Sequence, residues 1–418
     1  MLEKIKVFLA SKAFGNGLWM YFLQFFNTII PLVTLPYITR ILGAEQYGVF
    51  SSSFNLVGYL QVVIEYGFSM SATREVALNY KNKNELNDLL SAVIFSRILL
   101  LIICIIISCI YMSIWKASRV QKLSYWILMI MLMGIVFQVD WLFQGLQDMK
   151  YISLTNITAR IITTILIFAC VNSHKDILLY CLLYSLSPVI SNLIGIIFIK
   201  LKYGLKLKFI SIQKIVREIK EGWYIFTTQL TSKIFGAIGV TFLTFFTTKS
   251  TVGVFAAIQK IPNILLLLWM PISQILYPIV TQKMKESFSE GLKFVLKLRK
   301  SLLLFFLVLV LILSLFSKKL VGIAFGNDFL TNYYWLIPLL FWVFFSIDNN
   351  FWGIQILLAS GHDKEYSFCF QINVVITILL NFILIYWFGG LGASMAPLIS
   401  EFVLDVFLIR EVKKLKTS

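Results

Sequence analysis

Twelve apolar stretches, each long enough to cross a bilayer, follow one another almost from end to end of this chain. They fix the solvent in which it folds. About 20 apolar residues cross a hydrocarbon core as a helix. No lipid-exposed backbone group there can go unpaired, so the spans must be helical. The hydropathy pattern places them at 14–38, 48–68, 90–113, 124–143, 152–171, 176–199, 222–246, 251–280, 301–317, 333–358, 367–388 and 391–410. With 59% hydrophobic residues and loops too short for a soluble domain, the membrane bundle is the protein. The expected fold is an all-α integral membrane protein. Two six-helix bundles, 1–199 and 222–418, are expected as a pseudo-twofold pair of parallel repeats around a central cavity. The tightest turns between spans fall at 172–175 and 389–390.

The net charge of +17 invites a nucleic-acid reading, and its distribution argues against one. Of the 37 Lys and Arg, 25 fall in alternate segments that share a side with the N-terminus, 8 in the opposite loops, and 4 within spans. Such asymmetry obeys the positive-inside rule, so both termini are expected in the cytoplasm. The N-terminal residues Lys4, Lys6 and Lys12 precede a first span with no small-residue cleavage site, which reads as retained. The basic stretch 200–221 reads as a cytoplasmic amphipathic helix, with Ile210, Ile212, Ile215, Val216 and Ile219 opposed to Lys214, Arg217 and Lys220.

That stretch divides two halves that resemble each other. A gapless shift of 205 residues brings Gly17 onto Gly222, Gln24 onto Gln229, Ile29 onto Ile234 and Thr39 onto Thr244. It also brings Gly48-Val49-Phe50 onto Gly253-Val254-Phe255 and Leu60 onto Leu265. Six spans return the chain to its starting side, so the repeats are parallel, and that geometry places a cavity between two bundles.

Ionisable residues within spans mark candidate function, because a lone cation at mid-bilayer costs at least about 2.5 kcal/mol. Lys233 lies about 11 residues into its span and Lys260 about 9, roughly level at ~1.5 Å per residue. Gln229 shares the face of Lys233, and Asn263 clusters with Lys260. In the repeat, Lys233 falls opposite Thr28 and Lys260 opposite Asn55. Gln24, Asn27, Thr28 and Pro31 make an equivalent stripe on span one. These residues read as a cationic, polar lining for an anionic substrate; the structural alternative is that each Lys pairs with a buried carboxylate. Arg160 is a third cation, and Asp140 is an available partner for it. The membrane acids are Glu65, Asp140, Asp348, Glu401 and Asp405. Glu401 and Asp405 lie one turn apart and share a face. Two such carboxylates in low dielectric can share a proton, which suits ion coupling and equally suits a salt-bridged core; Asp348 is a further coupling candidate. All eight prolines lie within or at the ends of spans. Span eight, with Pro262, Pro271 and Pro278, is the expected bending helix.

The five cysteines sit in or beside apolar spans without metal-ligand or disulfide spacing. The two histidines, His174 and His362, lie in short loops. Neither a phosphate-binding glycine loop nor a nucleophile with a base is evident. No cofactor, metal, catalytic residue or nucleic-acid partner is expected, and the chain does not read as an enzyme.

Leu35-Pro36-Tyr37-Ile38-Thr39-Arg40-Ile41-Leu42-Gly43 with Tyr47-Gly48 resembles the first outer loop of Wzx-type polysaccharide flippases. Gly67-Phe68 with Ser71-Ala72-Thr73-Arg74-Glu75 is similar to the segment after their second span. Trp141-Leu142-Phe143-Gln144-Gly145-Leu146 with Met149-Lys150 is similar to the loop after their fourth. Lys260 and the Gly361-His362 turn carry a weaker likeness in the second half. The resemblance implies the multidrug/oligosaccharidyl-lipid/polysaccharide exporter superfamily, with its two six-helix bundles. It implies translocation of an undecaprenyl-pyrophosphate-linked O-antigen repeat unit across a bacterial inner membrane, by alternating access and with ion coupling. It implies as partners the lipid-linked glycan, membrane lipids, and a polysaccharide polymerase with its chain-length regulator. Arg40, Glu65, Arg74 and Asp140 are then gate or family-motif positions. The rival readings are a drug or cation antiporter of the same superfamily and a multi-pass glycan polymerase or acyltransferase. The enzyme reading needs a large outer loop or a catalytic His/Asp set, and the largest outer loop here, 317–332, offers one acid, Asp328.

Overall fold

A computed structural model describes residues 12–417, all of them helix or the short turns between helices. The N-terminal segment with Lys4 and Lys6 lies outside the described residues. Among the described residues, ten stretches are long and apolar enough to cross a membrane, against the twelve expected. The difference lies in the two longest, Gly15–Asn79 and Asp363–Leu415, of 65 and 53 residues. At 1.5 Å per residue these measure roughly 80–100 Å, more than twice a hydrocarbon core of about 30 Å. Each is interrupted by a glycine off the helical path, Gly43 at φ 70° and Gly389 at φ 54°. A Cβ makes that left-handed region costly, which is why glycine occupies both breaks.

Three expected elements differ in detail. Span four is not one helix but Arg119–Leu128, Ile130–Val136 and Asp140–Gly145. The break at 137–139 is tolerated because the buried Arg97 Nη1 donates to the carbonyl oxygens of Ile135, at 3.2 Å, and Gln138, at 2.6 Å. Span eight is interrupted at Gln259, between the helices Lys249–Ile258 and Lys260–Glu286. Pro262 lacks the N–H that would bond the carbonyl four residues back, so the helix is weakest just before it. The amphipathic stretch after 210 is not a separate surface helix: it runs into span seven as the single helix Ile212–Phe246. The chain leading into it is tied to the helix Lys83–Ile114. Lys206 N–H donates to Asn87 Oδ1 at 2.7 Å, Lys208 N–H to Ser91 Oγ at 2.9 Å, and Lys214 pairs with Asp88 at 2.8 Å.

By its contacts the chain forms two compact units, Met1–Leu42 with Ser53–Gly236, and Gly43–Ser52 with Ala237–Ser418. In the first, Ile177–Phe198 is the central helix, taking Met149–Cys170, Ile130–Val136 and Arg119–Leu128 against it. In the second, Leu336–Asn349 packs on Asp363–Thr417 and on Phe288–Leu315. The helix of Leu336–Asn349 continues as a π-helix over Asn350–Leu357.

The 205-residue repeat has a physical counterpart inside the second unit. A Cβ added at Gly48 would strike the carbonyl oxygen of Lys249, and one added at Gly253 would strike that of Ala44. Both partners stand 205 residues from their equivalents, so the contact is reciprocal. Reciprocity of this kind is the mark of a local two-fold axis. The preceding break repeats as well: Gly43 corresponds to Thr248, whose Oγ accepts the N–H of Thr251 to start Lys249–Ile258.

Candidate functional site

In the first unit the charged residues inside the membrane form a string. Lys233, half-buried on Ile212–Phe246, rests its ammonium on the backbone of Gly58. A Cβ there would lie 2.6 Å from Nζ, so the missing side chain makes the ammonium's seat. The Tyr59 ring lies 6.0 Å from Nζ. Glu65, at the end of Lys12–Glu65, is the acid whose charge acts on Lys233, and its Oε1 accepts Gln61 Nε2 at 2.8 Å. Glu65 and Asp140 both act on Arg97, whose guanidinium lies 5.9 Å from the Phe68 ring. Asp140 accepts from Gln138 at 3.2 Å and from Asn156. Two cations thus alternate with two acids, which offsets the desolvation of each.

This corrects the pairing expected for Asp140. The cation whose charge acts on it is Arg97, and Arg160 lies instead on Met149–Cys170 within electrostatic reach of Tyr184. Arg97, fully buried, lies between Ser96 and a long apolar run, so nothing beside it in the sequence marks it as a site residue. Its charge inside the expected span 90–113 is the signal the sequence offers.

The polar stripe behaves unevenly. Thr28 Oγ is spent on the backbone oxygen of Gln24, at 2.9 Å, and the Gln24 side chain is exposed. Asn27 Oδ1 and Gln229 Oε1 are buried acceptors without a partner among the described residues. Asn55 is buried, Asn263 half-buried, and Lys260 exposed at the first residue of its helix. Arg40 and Arg74 are both exposed.

The second unit gathers the remaining acids. Arg299 donates through Nε to Asp348 Oδ1 at 2.5 Å and through Nη2 to Oδ2 at 2.6 Å, a bidentate pair. The guanidinium lies 4.5 Å from the Trp352 ring. Asp405 feels Asp348, Arg299 and Glu401. Glu401 accepts from Asn349 Nδ2 at 2.5 Å and from Trp342. The structure therefore brings Asp348, Glu401 and Asp405 into one neighbourhood with a single guanidinium. Asp405 Oδ1 and Asn349 Oδ1 are buried there without a donor among the described residues. Arg299 does not stand out in the sequence because it lies in the basic run 297–300, just before the expected span 301–317. The helix in fact starts before that run, at Phe288, capped by Ser287 Oγ accepting the N–H of Glu290 at 3.4 Å. Beyond Asp348, the π-helical turn brings Asn350 and Gln355 to Ser273, at 2.8 and 3.1 Å. Such turns recur at functional positions.

Comparison with known proteins bears on what these sites serve. The model of a family described as polysaccharide biosynthesis protein matches residues 14–284. A curated protein of Escherichia coli (strain K12), named "Putative O-antigen transporter", is 27% identical over 405 residues, covering 96% of this chain and 97% of that one. A protein of the same name from Shigella dysenteriae is 26% identical over 400 residues, covering 95% and 99%. Among solved structures, lipid II flippase MurJ in an inward closed conformation aligns with a TM-score of 0.69 at 17% identity, over 95% of this chain and 87% of that one. An inward-facing MATE family multidrug resistance transporter aligns at 0.67 with 14% identity, over 94% and 99%. At those identities the structural matches carry the fold alone. The relatives are transporters and flippases, not enzymes.

Proposed function

We propose, because this chain belongs to the polysaccharide biosynthesis protein family, that it moves a lipid-linked oligosaccharide, an undecaprenyl-pyrophosphate-bound repeat unit, from the cytoplasmic to the periplasmic leaflet of the inner membrane. Full-length similarity to proteins named as O-antigen transporters supports the substrate class. The observation that carries the mechanism is Lys233, an ammonium held at depth on a bare glycine backbone and balanced by one acid. An arriving pyrophosphate would compete with Glu65 for it. Lys260 supplies a second cation, and Arg160 a third. Gln24, Thr28, Asn55, Gln229 and Asn263 are the polar positions for sugar hydroxyls; the unpartnered Gln229 Oε1 suits a hydroxyl donor.

Asp348, Glu401 and Asp405 are proposed to couple alternating access to an ion. Arg299 already neutralises Asp348, so Glu401 and Asp405 are the groups able to take up and release a proton. Arg40 and Arg74, exposed near turns, and Glu65 and Asp140 in the charged string are proposed as gate positions. A polymerase and its chain-length regulator are proposed partners, and both termini are proposed to be cytoplasmic. The test is Lys233→Ala and Lys260→Ala in a strain whose surface polysaccharide depends on this chain. Export should fall to background while each variant remains inserted. Full export by both variants overturns the role. The three acids Asp348, Glu401 and Asp405 around one guanidinium favour one second reading, a cation-coupled drug antiporter; unchanged drug efflux alongside lost glycan export decides against it.

A further inference from the structure

The first unit has a cavity of about 310 Å³, lined by Tyr80, Lys81, Lys83, Leu86, Leu146, Asp148, Tyr203 and Leu205. Three connections far apart in sequence meet there: the turn after Phe68–Asn79, the one before Met149–Cys170, and the one after Ile177–Phe198. Each belongs to the basic set of segments. The acid in its wall is already engaged. Asp148 Oδ2 accepts Lys202 Nζ at 2.6 Å and the Tyr203 hydroxyl. Lys202 itself lies 4.4 Å from the Tyr151 ring and 5.1 Å from that of Tyr203. Two ammonium groups remain. Lys83 Nζ sits against Gly204, where an added Cβ would meet it at 2.7 Å, and Lys81 lies 5.5 Å from the Tyr80 ring. Neither has a carboxylate partner among the described residues. Gly204, at φ 60°, is left-handed, which suits it to the bare backbone beside Lys83.

A tenant must therefore be anionic at one end. Three leucines and two tyrosine rings ask for an apolar or ring-bearing remainder. We infer that this cavity binds the phosphate headgroup of an amphiphile at the membrane surface, through Lys81 and Lys83, with Leu86, Leu146 and Leu205 against its less polar portion. The chemistry is a phosphate ester on a lipid, and two sources supply it: a polyprenyl diphosphate carrier or a resident anionic phospholipid. The first source rests on the flippase reading; the cavity itself does not.

The experiment uses the purified full chain in nanodiscs of neutral phosphatidylcholine, titrated with a polyprenyl diphosphate or with phosphatidylglycerol and read by native mass spectrometry. Lys81→Gln/Lys83→Gln should weaken binding roughly ten- to thirtyfold, as expected for two lysines at a lipid surface. Lys81→Arg/Lys83→Arg should retain it, and Lys318→Gln/Lys319→Gln, which removes two charges from the opposite set of loops, should leave it unchanged. Loss for the diphosphate alone assigns the site to the carrier; loss for phosphatidylglycerol alone assigns it to the bilayer. Both support the site. Undiminished binding of both probes by the Gln pair, or equal weakening by the 318/319 pair, overturns it. Absent polysaccharide export by the parent chain with intact phosphatidylglycerol binding would instead sink the flippase reading and leave the cavity standing.

Discussion

Arg299 and Asp348 show what a single side chain contributes inside this protein. Asp348 is 5% exposed and Arg299 25%, so the carboxylate depends on its partner far more than the reverse. Arg299→Ala strips both donors from a buried acid and should cost about 3 kcal/mol of stability. Replacing both residues with apolar ones of similar size should cost much less, since no charge is then stranded. Thermal unfolding in detergent measures both, and equal losses would show that packing rather than charge holds the pair. Asp348 itself was legible as a polar residue deep in an apolar span. Arg299 was not, because residues 297–300 look like a surface run until the helix from Phe288 is seen. Arg97 repeats the lesson, since its bonds go to carbonyls of a break that hydropathy does not register.

The two tight crossings at Gly48 and Gly253 operate at the level of the element. Each lets one helical segment lie on a carbonyl of its repeat-related neighbour. Gly48→Ala and Gly253→Ala should each destabilise the fold by about 1–3 kcal/mol, because backbone cannot yield as a flexible side chain would. The two effects should be similar in size, given the reciprocal geometry. Melting temperatures of the single variants test this; a neutral variant at either position would remove the two-fold argument. Gly43→Ala should cost about 1 kcal/mol through φ alone, with an added collision at Asp328 Oδ2, 2.9 Å from the new Cβ. The matched Gly-Val-Phe tripeptides were visible in the sequence and carried the repeat. The breaks at Met129 and Gln259 and the π-turn after Asn349 were not, since each shifts helical register by a residue or less and leaves average hydropathy unchanged.

At the scale of the whole molecule, the proposed sidedness rests on the basic residues. The meeting of residues 80–83, 146–148 and 203–205 in one cavity puts three of the basic connections at the same end of the first unit. A cysteine placed at Lys81 should react with a membrane-impermeant maleimide only in inverted vesicles, and one at Lys319 only in intact spheroplasts. Labelling of both from one side would undo the topology. Transport solvent, helical class, repeat offset and family are all written in the linear chain, because they depend on local composition and spacing that no fold can alter. Which charges neutralise one another was left to the tertiary structure. Partners such as Arg299 with Asp348 come from helices far apart in sequence. Their pairing depends on helix rotation and depth, which an apolar alphabet shared by every span does not encode.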